Sequence, residues 1–191
     1  MKRLIIAITG ASGAIYGIRA LQALQSADEI ETHLVISPSA QYTIAEETDM
    51  PIDKINGLAG QVYNFKDIGA SLSSGSYPTL GMLIAPCSVK TLSGIANCYD
   101  DNLIVRAADV CLKERRKVVA LLRETPLHLG HLKIMEQATL NGVIVMPPVP
   151  AFYHRPTTID GIINQTVGRA LDLFDLDVDL VERWKEGEAG N

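Results

Sequence analysis

Five short stretches dominated by Ile, Val, Leu, Met and Ala, at residues 4–8, 33–36, 82–85, 118–122 and 143–146, run almost without polar interruption. A strand with one face in water alternates apolar and polar residues. A continuous run is buried on both faces, which is the condition of a strand inside a mainly parallel sheet covered by helices. Between these runs, apolar residues recur at helical spacing over 14–25, 39–47, 89–96, 103–116, 127–140 and 159–173. The alternation predicts an α/β protein, a three-layer α/β/α Rossmann-like (flavodoxin-like) fold with a mainly parallel sheet. Residues 49–77 are the exception, because Pro51, Gly57, Gly60, Gly69 and Ser71-Leu72-Ser73-Ser74-Gly75-Ser76 punctuate them. One short strand and irregular loops are expected there.

No repeat or linker divides the chain, and 191 residues can close around one core. One domain over 1–191 is expected, with a loose polar tail from about residue 185. Lys+Arg 17 against Asp+Glu 22 gives a net charge of -5, and the aromatic residues are few, with Phe 3, Trp 1 and Tyr 6. Both facts argue against nucleic acid as a partner, which asks for clustered cations and stacking rings. Cys87, Cys98 and Cys111 are odd in number and lack CxxC spacing, so reduced thiols are expected rather than a disulfide framework or a zinc knuckle. No apolar run approaches the roughly 20 residues of a membrane span. The first apolar run is cut at Thr9-Gly10-Ala11-Ser12-Gly13, too early for a signal peptide. A cytoplasmic protein is expected.

Open parallel sheets bind ligands beyond the carboxyl ends of their strands, so the residues that follow each run are where chemistry is sought. After the first run, Gly10-Ala11-Ser12-Gly13-Ala14 turns directly into a helix. Its small residues let amides approach a phosphate at a helix N-terminus, though the same turn can bind nothing. It is neither the GxGxxG fingerprint nor a P-loop. Ser37 closes the second run and can simply cap a helix. Pro86-Cys87-Ser88-Val89-Lys90-Thr91 repeats the arrangement, with hydroxyls and amides for an anion or a ring edge, or a cap alone. Arg106 and Lys113, seven apart, share a helix face with Asp109 between them; two such cations can bracket a phosphate or form a solvated, ion-paired face. Arg123-Glu124-Thr125-Pro126 places a charged pair at a strand end, where Glu124 can serve as an acid or base if partly buried. His128 and His131 lack a third ligand, so a metal there is the weaker reading beside helix-face histidines. Pro147-Pro148-Val149-Pro150-Ala151-Phe152-Tyr153-His154-Arg155-Pro156 is a stiff loop carrying Tyr153. With Arg169 one helix later it forms a second anion site or a subunit-packing loop.

Taken in order, Thr9 to Ala14, Glu47-Thr48-Asp49, Pro86 to Thr91, Arg106-Ala107-Ala108-Asp109 with Leu112 to Arg116, Arg123 to Leu127 and Pro150 to His154 resemble the UbiX/Pad1 flavin prenyltransferases. The likeness runs from Lys2 to about Trp184 and is closest to the bacterial UbiX branch. It implies an enzyme that takes a dimethylallyl group from dimethylallyl phosphate and joins it to N5 and C6 of reduced FMN. The product, prenylated FMN, is the cofactor of a UbiD-type decarboxylase, often in ubiquinone biosynthesis. Members are transferases that need no metal, and the resemblance implies a large homo-oligomer, a dodecamer, with sites at subunit contacts.

By position, the resemblance assigns Gly10, Ala11, Ser12, Ser37, Ser88, Val89, Lys90, Thr91 and Arg123 to the flavin. It assigns Tyr153 and Arg169 to dimethylallyl phosphate, with Arg106 and Lys113 around its phosphate. Glu124, Ser12 and Glu47 fall near the reacting flavin edge, and Trp184 near the active site; together with Lys113 these form the expected catalytic set. The four cationic and phenolic groups then replace the metal that pyrophosphate-using prenyltransferases require. Two other classes stay open: a flavin-dependent cysteine decarboxylase-like enzyme and a non-catalytic FMN-binding scaffold. The first needs a histidine base, and none of His33, His128, His131 and His154 lies in the region that matches that base.

Overall fold

The computed structural model describes residues 1–184, so the tail expected from about 185 lies outside the described residues. Strands β1 (Lys2–Ile8), β2 (Ile30–Ile36), β3 (Gln61–Tyr63), β4 (Gly81–Cys87), β5 (Lys117–Leu122) and β6 (Val143–Val145) form one sheet. Its order is β3-β2-β1-β4-β5-β6, and every neighbouring pair is parallel. Of the two common doubly wound orders this is the one that reverses between the first and fourth strands. Helices α1 (Ala14–Leu24), α2 (Pro38–Glu47), α3 (Ile52–Asn56), α4 (Val89–Ala96), α5 (Leu103–Lys113), α6 (Leu129–Leu140) and α7 (Ile159–Asp172) complete the three layers.

Strand pleating sorts the core. Leu4, Ile6 and Ile8 of β1 pack with α1, α2 and α7, while Ile5 and Ala7 pack with α4 and α5 on the other face. The uninterrupted apolar runs are therefore the signature of two buried faces. Two glycines let the layers close: a Cβ on Gly17 of α1 would lie 2.3 Å from the Ala85 carbonyl oxygen, and Gly81 has φ +144 beside the Lys117 carbonyl.

Differences from the sequence reading sit at the ends and in one loop. Helix α5 stops at Lys113 rather than 116, because Glu114 leaves helical geometry and Arg115 turns to φ 58. Helix α6 starts at Leu129, with His128 as its cap. Residues 49–77 contain the expected short strand, β3, but also the short helix α3, which Pro51 initiates and Ile55 anchors in the core. Among the described residues no helix is long and apolar enough to cross a membrane.

His33, in the middle of β2, is fully buried, with Nδ1 2.9 Å from the Tyr63 hydroxyl and Nε2 3.2 Å from Glu31 Oε2. Burial holds its imidazole below the usual histidine value, against the pull of Glu31. A group that stays neutral when folded but protonates when unfolded makes the unfolded state bind more protons below its ordinary value. Its contribution is complete above about pH 6.5 and is lost as pH falls below that. The melting temperature should drop as pH is lowered from about 6.5 to 5, and His33→Gln should flatten that arm. An unchanged profile in the variant would assign the pH dependence elsewhere.

Candidate active site

The sheet reverses direction between β1 and β4, and the crevice beyond their carboxyl ends is where the fold offers a ligand site. Regular pairing of the two strands ends at Ala7 and Ile84. Past that point Thr9 joins them: its hydroxyl donates to the Pro86 carbonyl at 2.8 Å and accepts from the Ser88 amide at 2.8 Å. A Cβ on Gly10 would fall 2.4 Å from the Ser39 side chain, so glycine lets the end of β1 meet the start of α2.

Two helix N-termini open on this crevice. Ser37 caps α2 by accepting from the Ala40 amide at 3.1 Å, and Ser88 caps α4 by accepting from the Thr91 amide at 3.3 Å. They share the wall of a cavity of about 740 Å³, together with Ser39, Lys90, Thr91, Asn97, Asn102, Phe65 and Tyr99. Hydroxyls, amides, two positive helix ends and one lysine make a site for a phosphate-bearing ligand of mononucleotide size. Of the residues expected at a flavin, Ser37, Ser88, Lys90 and Thr91 line it directly. Ser39, Phe65, Tyr99 and Asn102 were missed; Asn102, which caps α5 through the Ile104 and Val105 amides, was readable as a cap immediately before an apolar helix.

The N-terminus of α1 is arranged differently. Gly13 sits at φ 100, and its amide and that of Ala14 donate to Glu47 Oε2 at 2.8 and 3.2 Å. Glu47 thus anchors the Gly10-Ala11-Ser12 loop from the last turn of α2. Arg123 extends from β5, its amide donating to the Cys87 carbonyl at 3.0 Å. Burial pushes the Tyr16 phenol up, and the nearby Arg123 charge opposes this, which places a cation beside the start of α1. Glu124 is exposed, with Oε1 accepting from the Thr125 amide at 3.0 Å. Cys87 and Cys111 are buried, which pushes their thiols up to about 12 and about 11, so neither is a thiolate near neutral pH.

The remaining expected groups form two further clusters. Tyr153 meets the Trp184 ring edge-on at 5.5 Å, and its hydroxyl lies 2.6 Å from Gln165 Nε2 of α7, the helix that also carries Arg169. Arg169 pairs with Asp172 at 2.6 Å, as does Arg183 at 3.0 Å. Burial raises the Asp172 carboxyl, but the Arg183 and Arg169 hydrogen bonds outweigh it and hold the group below its usual value. On α5, Arg106 pairs with Asp100 and Asp109, each at 3.1 Å, and Lys113 with Glu114 at 2.5 Å. Burial and then the neighbouring Asp100 push the Asp109 carboxyl up, against the pull of Arg106 and Lys113. Helices α5 and α7 cover opposite faces of the sheet. Lys113 also ends α5 four residues before β5 begins, toward the amino end of that strand and not the carboxyl end where the cavity lies. One chain therefore does not bring Arg106 and Lys113 together with Tyr153 and Arg169. His128 and His131 cap α6 reciprocally, their rings 3.7 Å apart. Among the described residues no three His, Cys, Asp or Glu side chains group as a metal site.

Fold and site together define a doubly wound mononucleotide-binding protein. A family model described as Flavoprotein matches residues 1–168. A flavin prenyltransferase UbiX from Thauera aromatica is 60% identical over 97% of this chain and 95% of its own. A crystal structure of AnUbiX (PadA1) in complex with FMN and dimethylallyl pyrophosphate superposes with a TM-score of 0.94 at 48% identity, covering 98% of this chain and 99% of that one. A dodecameric FMN-dependent UbiX-like decarboxylase from Escherichia coli O157:H7 also gives 0.94, at 46% identity over 96% and 100%. The chain belongs to the flavoprotein family, among its UbiX flavin prenyltransferases.

Proposed function

We propose that this protein is a flavin prenyltransferase that joins the dimethylallyl group of dimethylallyl phosphate to N5 and C6 of reduced FMN. The product is prenylated FMN, supplied to a UbiD-type decarboxylase, with ubiquinone biosynthesis as the pathway served. The observation that carries the reading is the donor-lined cavity at the β1/β4 crevice, in a chain 60% identical to a UbiX enzyme. FMN is itself a substrate here, and the residues present fit it: Ser37, Ser88, Thr91 and Lys90 supply hydroxyl, amide and ammonium donors, and Gly10 leaves room for Ser39 on the cavity wall. Reduced FMN supplies the electron-rich N5 and C6 positions that receive the allyl group.

The chain's own part is to bind, to neutralise charge and to move a proton. Arg123, which follows β5 and is tied to the end of β4 through the Cys87 carbonyl, supplies a cation to the flavin. Arg106, Lys113, Arg169 and the Tyr153 phenol hold the departing phosphate, taking the place of a metal as the carbon–oxygen bond breaks. Glu124 carries a proton, either to the leaving phosphate or from C6 as the second bond forms. Glu47 and Ser12 hold the flavin-facing loop, and Trp184 closes the Tyr153 side. Because α5 and α7 lie on opposite faces, the complete site takes residues from more than one copy, and we infer a homo-oligomer, a dodecamer like the E. coli O157:H7 relative. Leu129, Leu132 and Leu140 of α6, with Val149, Phe152 and Ile159, leave apolar surface exposed that such contacts can cover. The chain acts as one domain, and the cytoplasm is the compartment that keeps its three free cysteines reduced.

The test supplies reduced FMN and dimethylallyl phosphate with a chelator present and follows the flavin by mass. A gain of one five-carbon unit is expected, at a rate the chelator does not change. Retained flavin of unchanged mass would instead indicate the non-catalytic scaffold.

A further inference from the structure

Gln165 lies one helical turn before Arg169 in α7 and is 4% exposed. Its amide is wholly committed. Oε1 accepts from the Glu182 backbone N–H at 3.0 Å, and Nε2 lies 3.2 Å from the Glu182 carbonyl oxygen and 2.6 Å from the Tyr153 hydroxyl. A backbone N–H can only donate and a carbonyl can only accept, so Glu182 fixes which way round the amide lies. Nε2 therefore faces Tyr153, and the phenol oxygen must accept there. Its own hydrogen is left to point elsewhere. Edge-on contacts to Trp184 and His154, both with centroids at 5.5 Å, hold the ring, and Tyr153 remains 43% exposed.

We propose that Gln165 is a positioning residue: by donating to the Tyr153 phenol, it turns the phenolic O–H outward as a donor to the phosphate of the allylic substrate. The proposal rests on the reading of Tyr153 as a phosphate-binding group, given above. It also explains why an uncharged amide is buried here. A carboxylate would accept the phenol's proton and aim it inward, and an apolar residue would leave the Glu182 backbone groups without partners.

The experiment measures kcat/KM for dimethylallyl phosphate between pH 6 and 9, with FMN affinity alongside, for Tyr153→Phe, Gln165→Glu and Gln165→Met in the full-length chain. Gln165→Glu preserves length and the acceptor facing the Glu182 N–H but reverses the bond to Tyr153. Its kcat/KM should fall about 10- to 100-fold, the size expected for losing a hydrogen bond to a charged group. The loss should deepen as rising pH ionises the new carboxyl, and FMN affinity should stay at the parental value. Gln165→Met breaks the bonds to Glu182 but leaves the phenol free to turn, so its loss should be smaller and flat with pH. Were Gln165 only a packing residue, Met would be the worse replacement and no pH trend would appear; that order overturns the proposal. Parental kcat/KM in Tyr153→Phe would remove the phosphate role of Tyr153 and the proposal with it. A fall in Tyr153→Phe with parental behaviour in Gln165→Glu would overturn the Gln165 role alone.

Discussion

Glu124→Gln should convert reduced FMN about 10²- to 10⁴-fold more slowly at saturating dimethylallyl phosphate, the range over which a positioned acid or base contributes. The substitution keeps the shape of the side chain and an oxygen that can accept from the Thr125 amide, so the β5 terminus should hold its conformation. What it removes is the capacity to take up or release a proton. FMN affinity should therefore match the parent's, since Glu124 does not line the cavity. A variant with parental turnover would show that Glu124 carries no proton in the reaction. Within one chain Glu124 is exposed, so the water exclusion that makes a carboxylate an effective acid or base must come from a neighbouring copy.

The second large effect concerns subunit composition. Arg106→Ala and Arg169→Ala should each lower activity by about 10²- to 10³-fold, the usual cost of deleting one donor aimed at developing charge. Mixed after dissociation and reassembly, the two inactive proteins should recover roughly a quarter of parental activity, because random assembly lets an intact Arg106 from one subunit meet an intact Arg169 from another. Helices α5 and α7 cover opposite faces of the sheet and so do not serve one phosphate from the same chain. A mixture as inactive as its components would mean that each site draws both arginines from one subunit.

The strands and most helices were legible because burial on two faces leaves an unbroken apolar run, and because Ser37 and Ser88 stand where caps belong. The cavity wall could be read for the same reason, since strand ends and caps are local signals. Phe65 and Tyr99 come from loops whose path is set by tertiary packing, and nothing adjacent in sequence marks them. The Glu47 bond to the Gly13 and Ala14 amides spans more than thirty residues, and no periodicity encodes it. Spacing placed Arg106 and Lys113 on one helix, but which face of the sheet that helix would cover followed from the strand order, which a single sequence does not spell out. Gln165 was silent for another reason: a glutamine in an amphipathic helix reads as surface until its partners are seen.

Thr9 has a further consequence. Its hydroxyl donates to the Pro86 carbonyl and accepts from the Ser88 amide, both at the end of β4, and its own backbone amide donates to the same Pro86 carbonyl at 3.2 Å. Three hydrogen bonds from one residue thus tie the end of β1 to the end of β4. Such a link acts as a spacer of fixed length and not as a hinge. Differences in substrate bulk are therefore expected to be taken up by the loops around the cleft and not by its floor, where β1 and β4 are tied.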